Sequence, residues 1–186
     1  MLRQAPNIIM VGEIRDTETG EIAINAALTG HLVFSTLHTN DAPSAVTRLM
    51  DMGIKPFLVA SSVRAIMAQR LVRRLCRNCA QEHKPSEEEL DALGLPADYF
   101  KDATLKMGRG CSECNKGYKG RQGIFEIFIL DDTIQELIYN KADAGVIRDR
   151  AIEGGMRTMR QDGLRKAAVG ITTLEEVIRL TVADED

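Results

Sequence analysis

Four cysteines in 186 residues stand as two pairs, Cys76-x-x-Cys79 and Cys111-x-x-Cys114. A CxxC turn places two thiolates on one tight loop. Two such loops bring four sulfurs to tetrahedral corners, the arrangement Zn²⁺ accepts in structural sites. Residues 80–110 between the pairs exceed what a compact zinc ribbon holds and suffice for a helix of their own. Four sulfurs leave no open coordination position, so the chemistry is structural, not catalytic. His83, four residues after Cys79, is a competing ligand that a complete sulfur set does not need. Buried free thiols and a thioredoxin-like redox pair are the other readings. A reducing compartment keeps such thiols available for metal, and two CxxC pairs favour zinc over either.

A second group of residues lies near the N-terminus. Ile8-Ile-Met-Val-Gly12 is an apolar run closed by glycine and followed at once by Glu13-Ile-Arg15-Asp16. The run suits a strand buried on both faces, as in a parallel sheet. A carboxylate at the C-terminal edge of such a strand points into the crevice where nucleotides bind. There it can hold a magnesium-bound water or orient an attacking one. In this the segment resembles the Walker B element of P-loop NTPases, although acidic residues end many strands with no such role. His38 closes the next apolar run, which begins at His31. It stands in the same crevice if the two strands are neighbours; a hydrogen-bonded loop histidine is the plainer alternative. Ser35, Thr36, Thr39 and Asn40 either serve a phosphate or cap the following helix.

The elements that must position these groups alternate strand and helix, an α/β pattern. Residues 17–29 read as a helix closed by Gly30, and Asp41 and Pro43 open another. A long helix is expected from Pro56 to about Leu75, with Arg70, Arg74 and Arg77 on one face and Arg64 and Arg73 nearby. Ser86-x-x-Glu89, Thr133-x-x-Glu136 and Thr173-x-x-Glu176 have capping-box spacing. Glycines 108, 110, 117, 120 and 123 make turns around the second cysteine pair, and residues 124–130 read as a strand. The acidic tail Ala183–Asp186 is expected to fray. The expected order is an α/β part over 1–75, a tetracysteine lobe inserted over 76–123, and a strand with a mostly helical region over 124–186.

With 44% hydrophobic and 27% charged residues the chain is globular in composition, neither disordered nor collagen-like. No apolar run approaches the roughly 20 residues of a membrane span, and the polar N-terminus is no signal peptide. A net charge of -3 and a pI near 5.7 argue against direct nucleic-acid binding, so the arginines read as a solvated or intersubunit face first. A cytoplasmic protein is expected.

Taken together, Leu2-Arg-Gln, Ile8-Ile-Met-Val-Gly-Glu-Ile-Arg-Asp16, Gly30–Asp41, Ala68–Cys76, Gly120-Arg-Gln-Gly-Ile-Phe-Glu126 and Asp162-Gly-Leu-Arg with Gly170–Val177 resemble the secretion and pilus-assembly ATPases. These are the hexameric P-loop motors of type II secretion and type IV pilus extension. The resemblance covers nearly the whole chain and implies part of a RecA-like sheet. It implies that Glu13 assists magnesium-bound ATP and its hydrolysis, with Gly12, Arg15 and Asp16 in the same motif, and that His38 lies near the γ-phosphate. It puts Cys76, Cys79, Cys111 and Cys114 on one zinc ion. It implies a homo-hexamer working on an inner-membrane platform protein, cytoplasmic and peripheral to that membrane. One departure is marked: nothing in the sequence reads G-x-x-x-x-G-K-[ST], the loop whose backbone amides and lysine cradle phosphates. In the family that loop, an acidic box and a regulatory domain lie upstream of the Walker B strand. The chain is therefore expected to be the C-terminal part of a motor, inactive alone. The alternative is a zinc-stabilised module that docks a protein partner.

Overall fold

The computed structural model describes residues 6–181. Leu2-Arg-Gln and the acidic tail Ala183–Asp186 lie outside the described residues. The fold is mixed α/β. Its contacts divide the chain into two compact units, one formed by residues up to Ala68 with Ile127–Met156, the other by Gln69–Glu126 with the residues from Arg157 onward. These groupings cut across the segments 1–75, 76–123 and 124–186: the stretch holding the cysteines shares its unit with the C-terminal helices.

In the first unit, strand β1 (Ile8–Glu13) pairs in parallel with β2 (Leu32–Thr36). Helix α1 (Thr17–Leu28) connects them. Asp16 caps its start, accepting from the Thr19 amide at 2.8 Å. At its end the Gly30 amide reaches the Ala27 carbonyl and the His31 amide reaches Ala26, with Gly30 at φ +95°, a turn that glycine adopts without steric cost. Helices α2 (Ser44–Asp51) and α3 (Pro56–Ser62) follow, and α5 (Asp132–Tyr139) and α6 (Ala144–Glu153) complete the unit. Its core gathers Ile24, Val46, Leu49, Ile54, Val59, Phe128, Ile134, Ile138 and Ile147. Val11 and Val33 on the inner face of β1–β2 pack against it. The outer face does not match the expectation of a strand buried on both sides. Ile8, Met10, Leu32 and Phe34 are all more than half exposed there, Met10 at 79%.

The long helix expected over 56–75 is corrected. Helix α3 ends at Ser62, and residues Ala65–Leu75 form strand β3, paired with β6 (Tyr118–Ile129). The Leu130 amide donates to the Arg64 carbonyl and the Cys76 amide to Gly117, marking the two ends of the pair. The physical reason is in the side chains: through Leu71 the exposure of β3 alternates with period two, which a ladder satisfies and a helix does not. Arg70 and Arg74 therefore share a strand, not a helical stripe. Strand β6 also begins earlier than residue 124, because its first half answers β3.

In the second unit, β4 (Ala80–Glu82) and β5 (Lys106–Gly108) pair antiparallel, Ala80 opposite Gly108. Between them α4 (Glu87–Asp91) carries the expected capping box, Ser86 and Glu89 each bonding the other's backbone amide. The second unit's core joins Leu90, Leu93, Phe100 and Leu105 from this segment to Leu164, Ala167, Leu174 and Val177 on helices α7 (Met159–Ala168) and α8 (Leu174–Thr181).

Two further capping expectations are corrected. Asp131, not Thr133, caps α5 by accepting from the Ile134 amide at 2.9 Å. At α8 the Thr173 hydroxyl accepts from the Glu176 amide, but the Glu176 carboxylate turns to arginines instead of completing the box.

Candidate functional site

Two sites emerge, one in each unit. The first lies at the C-terminal ends of β1 and β2. The Glu13 carboxylate, mostly shielded, receives Arg15 Nη2 on one oxygen at 2.6 Å and His38 Nε2 on the other at 2.9 Å. His38 and Arg15 are largely exposed, so the trio faces solvent from the strand ends. The hydrogen bond from Arg15 holds the Glu13 carboxyl below its ordinary value, and the charges of Arg15 and His38 add to this against the cost of desolvation. Glu13 is thus an ionised acceptor at neutral pH, flanked by a cation and an imidazole. Such a group can hold or orient a water, or a hydrated cation.

Of the residues named from sequence, Gly12, Glu13, Arg15 and His38 come together here. The Asp16 carboxylate is committed to the first turn of α1, and the Thr19 amide depresses its pKa. His31 lies at the far end of β2, its Nδ1 3.0 Å from the Ala26 carbonyl. From the polar string, Thr36 donates its hydroxyl to the Gly12 carbonyl at 2.9 Å and Thr39 donates to Asp41 at 2.9 Å. The Thr36 contact had no signature in the sequence beyond a hydroxyl near a strand end.

The second site is the cysteine cluster. β4 pairing with β5, extended by the Arg109 amide donating to Cys79, returns the chain so that the second CxxC faces the first. Gly108 and Gly117 cross so closely that a Cβ on Gly117, itself at φ +88°, would meet Gly108 backbone atoms at 2.7–2.8 Å. The four sulfurs all lie within 4.8 Å of one another. The closest pairs are 3.6 Å (Cys111–Cys114), 3.7 Å (Cys79–Cys114) and 3.9 Å (Cys76–Cys111). A Zn–S bond of about 2.3 Å sets the edge of a regular tetrahedron at about 3.8 Å. The thiols are therefore spaced for one tetrahedral ion and too far apart for a disulfide, whose sulfurs sit about 2 Å apart. Cys76 is buried and the other three half-buried.

The cluster's electrostatics favour a cation. Burial disfavours the Cys114 thiolate, yet hydrogen bonds from the Cys111 backbone and thiol outweigh it and bring Cys114 down to about 7. Cys111 is pushed up to about 12: a backbone hydrogen bond from Glu113 favours its thiolate, but the neighbouring thiols and burial prevail. Four sulfurs this close cannot all ionise without a positive charge among them, and a divalent cation supplies it. His83 is engaged elsewhere, its Nε2 2.9 Å from the Glu89 carboxylate.

One functional-looking cluster escaped the sequence reading. Glu176, fully buried, accepts from the Arg73 amide and guanidinium and from Arg179. The same Arg73 guanidinium lies 4.1 Å over the Tyr118 ring.

A family model described as "Type II/IV secretion system protein" matches residues 1–179. The chain is 52% identical over 182 residues to the type IV pilus assembly ATPase PilB of Thermus thermophilus, covering 97% of this chain and 20% of that protein. It is 50% identical over 182 residues to the type II secretion system protein E of Pseudomonas aeruginosa, covering 97% and 36%. Among solved structures, the pilus retraction motor PilT with bound ADP matches with a TM-score of 0.66 at 26% identity, over 97% of this chain and 41% of that one. The Legionella pneumophila ATPase DotB matches in fold with a TM-score of 0.64 at 24% identity, over 98% and 40%. The chain thus spans a fifth to about a third of the length of these curated relatives. With nearly every residue covered by one family model and half of them identical in relatives from distant bacteria, the chain belongs to the type II/IV secretion system protein family.

Proposed function

We propose that this chain is a section of a hexameric motor ATPase that couples ATP hydrolysis to protein secretion or pilus extension. The observation that carries the reading is the ionised Glu13, held between Arg15 and His38 where two parallel strands end. Crevices at the carboxyl ends of parallel strands are where α/β sheets bind nucleotides. The exposed outer face of β1–β2 supports the same reading, because parallel sheets are ordinarily covered on both faces. A RecA-like sheet continued by other parts of a longer protein would cover it.

On this reading the nucleotide is the substrate, and Mg²⁺ supplies charge neutralisation at its phosphates. Glu13 accepts from a water in the magnesium shell or from the attacking water and fixes its direction. Arg15 keeps that carboxylate ionised, and His38 presents its ring toward the γ-phosphate. Gly12 and Asp16 hold the turn between β1 and α1 on the nucleotide side. The four cysteines hold a structural Zn²⁺. The partners are five further copies and the inner-membrane platform and assembly proteins of the machine, at the cytoplasmic face. Among the described residues no helix is long and apolar enough to cross a membrane. No segment here has the phosphate-loop pattern, so the chain by itself is assigned neither tight ATP binding nor turnover.

The test is calorimetric titration of Mg-ATP into the 186-residue chain and into a form extended at its N-terminus through a phosphate loop. Binding is expected in the extended form only. There Glu13→Gln should keep binding while lowering kcat by about 10²–10⁴, the usual contribution of a positioned acid or base. ATP turnover by the 186-residue chain, abolished by Glu13→Gln, would overturn the inactive assignment.

A further inference from the structure

The ladder between β1 and β2 slips by one residue just before Glu13. Ile8, Ile9 and Met10 lie opposite Leu32, Val33 and Phe34, but Glu13 then lies opposite Thr36, so β1 carries one extra residue between Met10 and Glu13. In the unshifted register Glu13 would stand opposite Leu37. Because side chains alternate faces, a one-residue slip moves a side chain to the other side of the sheet. The bulge therefore sets Glu13 opposite Thr36, with His38, two residues on, 2.9 Å from its carboxylate. Bulges commonly re-aim a side chain in this way beside functional sites.

Thr36 makes the contacts that hold this slip. Its hydroxyl donates to the Gly12 carbonyl at 2.9 Å, and its own carbonyl accepts from the Ile14 amide at 3.0 Å. Both peptide groups that flank Glu13 are thus bonded to a single residue of β2. A carboxylate whose two neighbouring peptides are fixed has only its own side-chain torsions left to align with His38, 2.9 Å away.

We propose that Thr36 is a positioning residue for Glu13, its hydroxyl locking the β1 bulge that turns the carboxylate toward His38. The consequence for catalysis rests on the motor reading above, but the geometry does not. No nucleotide is needed to test it.

The experiment follows the ¹³C resonance of the Glu13 carboxyl through a pH titration of the 186-residue chain. Glu13 should titrate below the ordinary carboxylate range, chiefly through the Arg15 hydrogen bond and in smaller part through the His38 charge. Thr36→Val keeps the β-branched shape and removes the hydroxyl. It should raise the Glu13 midpoint in the direction that His38→Asn raises it. The double variant should rise no further than His38→Asn alone, because the lost alignment is the same. Thr36→Ser should restore the wild-type midpoint. Thr36→Ala, a second hydroxyl-free variant at this exposed position, must reproduce Thr36→Val. A wild-type midpoint in either hydroxyl-free variant, or shifts that add in the double variant, would overturn the proposal. Those results would leave the motor reading standing. Failure of a longer form to hydrolyse ATP would leave the titration result standing.

Discussion

Glu176 places a full negative charge where no water reaches it, and three groups answer it: the Arg73 amide and guanidinium and the Arg179 guanidinium. Burial alone would raise its pKa, but the hydrogen bonds from Arg179 and Arg73 overcome this and lower it from an ordinary 4.5 to about 2. A carboxyl whose folded-state pKa is depressed stabilises the fold above its unfolded pKa and loses that contribution as pH falls toward the folded value. At about 1.4 kcal/mol per tenfold change in proton affinity, the interaction stabilises the second unit by about 3 kcal/mol at neutral pH. Glu176→Gln should cost about that much in urea unfolding at pH 7, followed by the amide resonances of α8. The gap from wild type should begin to close as pH drops below about 4.5, where the unfolded carboxyl takes its proton. A gap unchanged between pH 7 and pH 4 would mean that shape, not charge, carries the effect.

At the scale of elements, what the sequence revealed depended on how far apart the deciding residues lie. Strands β1 and β2, helix α1 and the Ser86–Glu89 box were readable because their signals are local: an apolar run, a cap, a glycine at φ +95°. The sequence also named Glu13, His38 and the four cysteines, and the structure sets His38 beside Glu13 and gathers the cysteines in one cluster. Strand β3 was not. Its run Ala-Ile-Met-Ala-Gln-Arg-Leu-Val-Arg-Arg-Leu suits a helix by propensity, and only the distant β6 makes it a strand. The Arg73–Glu176 pairing joins residues 103 positions apart and has no local signature. At α5 the error was one of choice between neighbours. Asp131 and Thr133 both have capping chemistry, but the chain turns extended at Asp131 and the Ile134 amide points to it. Asp131→Ala should therefore cost the first unit about 1 kcal/mol, the typical value of a lost N-cap. Thr133→Ala should stay within about 0.5 kcal/mol, as for an exposed site away from special contacts. Equal costs in paired urea-unfolding curves would return the cap to Thr133.

At the scale of the whole molecule, the cysteine cluster matters through the segments tied to it. Residues 80–110 do not form a lobe with a core of their own; Leu90, Leu93, Phe100 and Leu105 pack on Leu164, Leu174 and Val177. The β3–β6 pair beside the first CxxC is tied to the turn between helices α7 and α8: the Leu75 amide donates to Ile171, the Thr172 hydroxyl to the Arg73 carbonyl, and Tyr118 shares a hydrogen bond with Thr173. The binding free energy of a structural zinc is folding free energy for whatever the ligands hold in place. For the zinc proposed above that would be the segment around the Cys76–Gly117 hydrogen bond, and through it the turn between α7 and α8. Cys111→Ser should release the metal, and amide hydrogen exchange should then lose protection not only over 76–123 but across α7 and α8 in the same step. The first unit, with Phe128, Ile134, Ile138 and Ile147 in a separate core, should keep its slow amides in α1 and α5. Protection of α7 and α8 surviving in metal-free Cys111→Ser protein would show that the helices fold without the cysteine segment. Loss of protection in α1 and α5 as well would show that the two cores unfold as one.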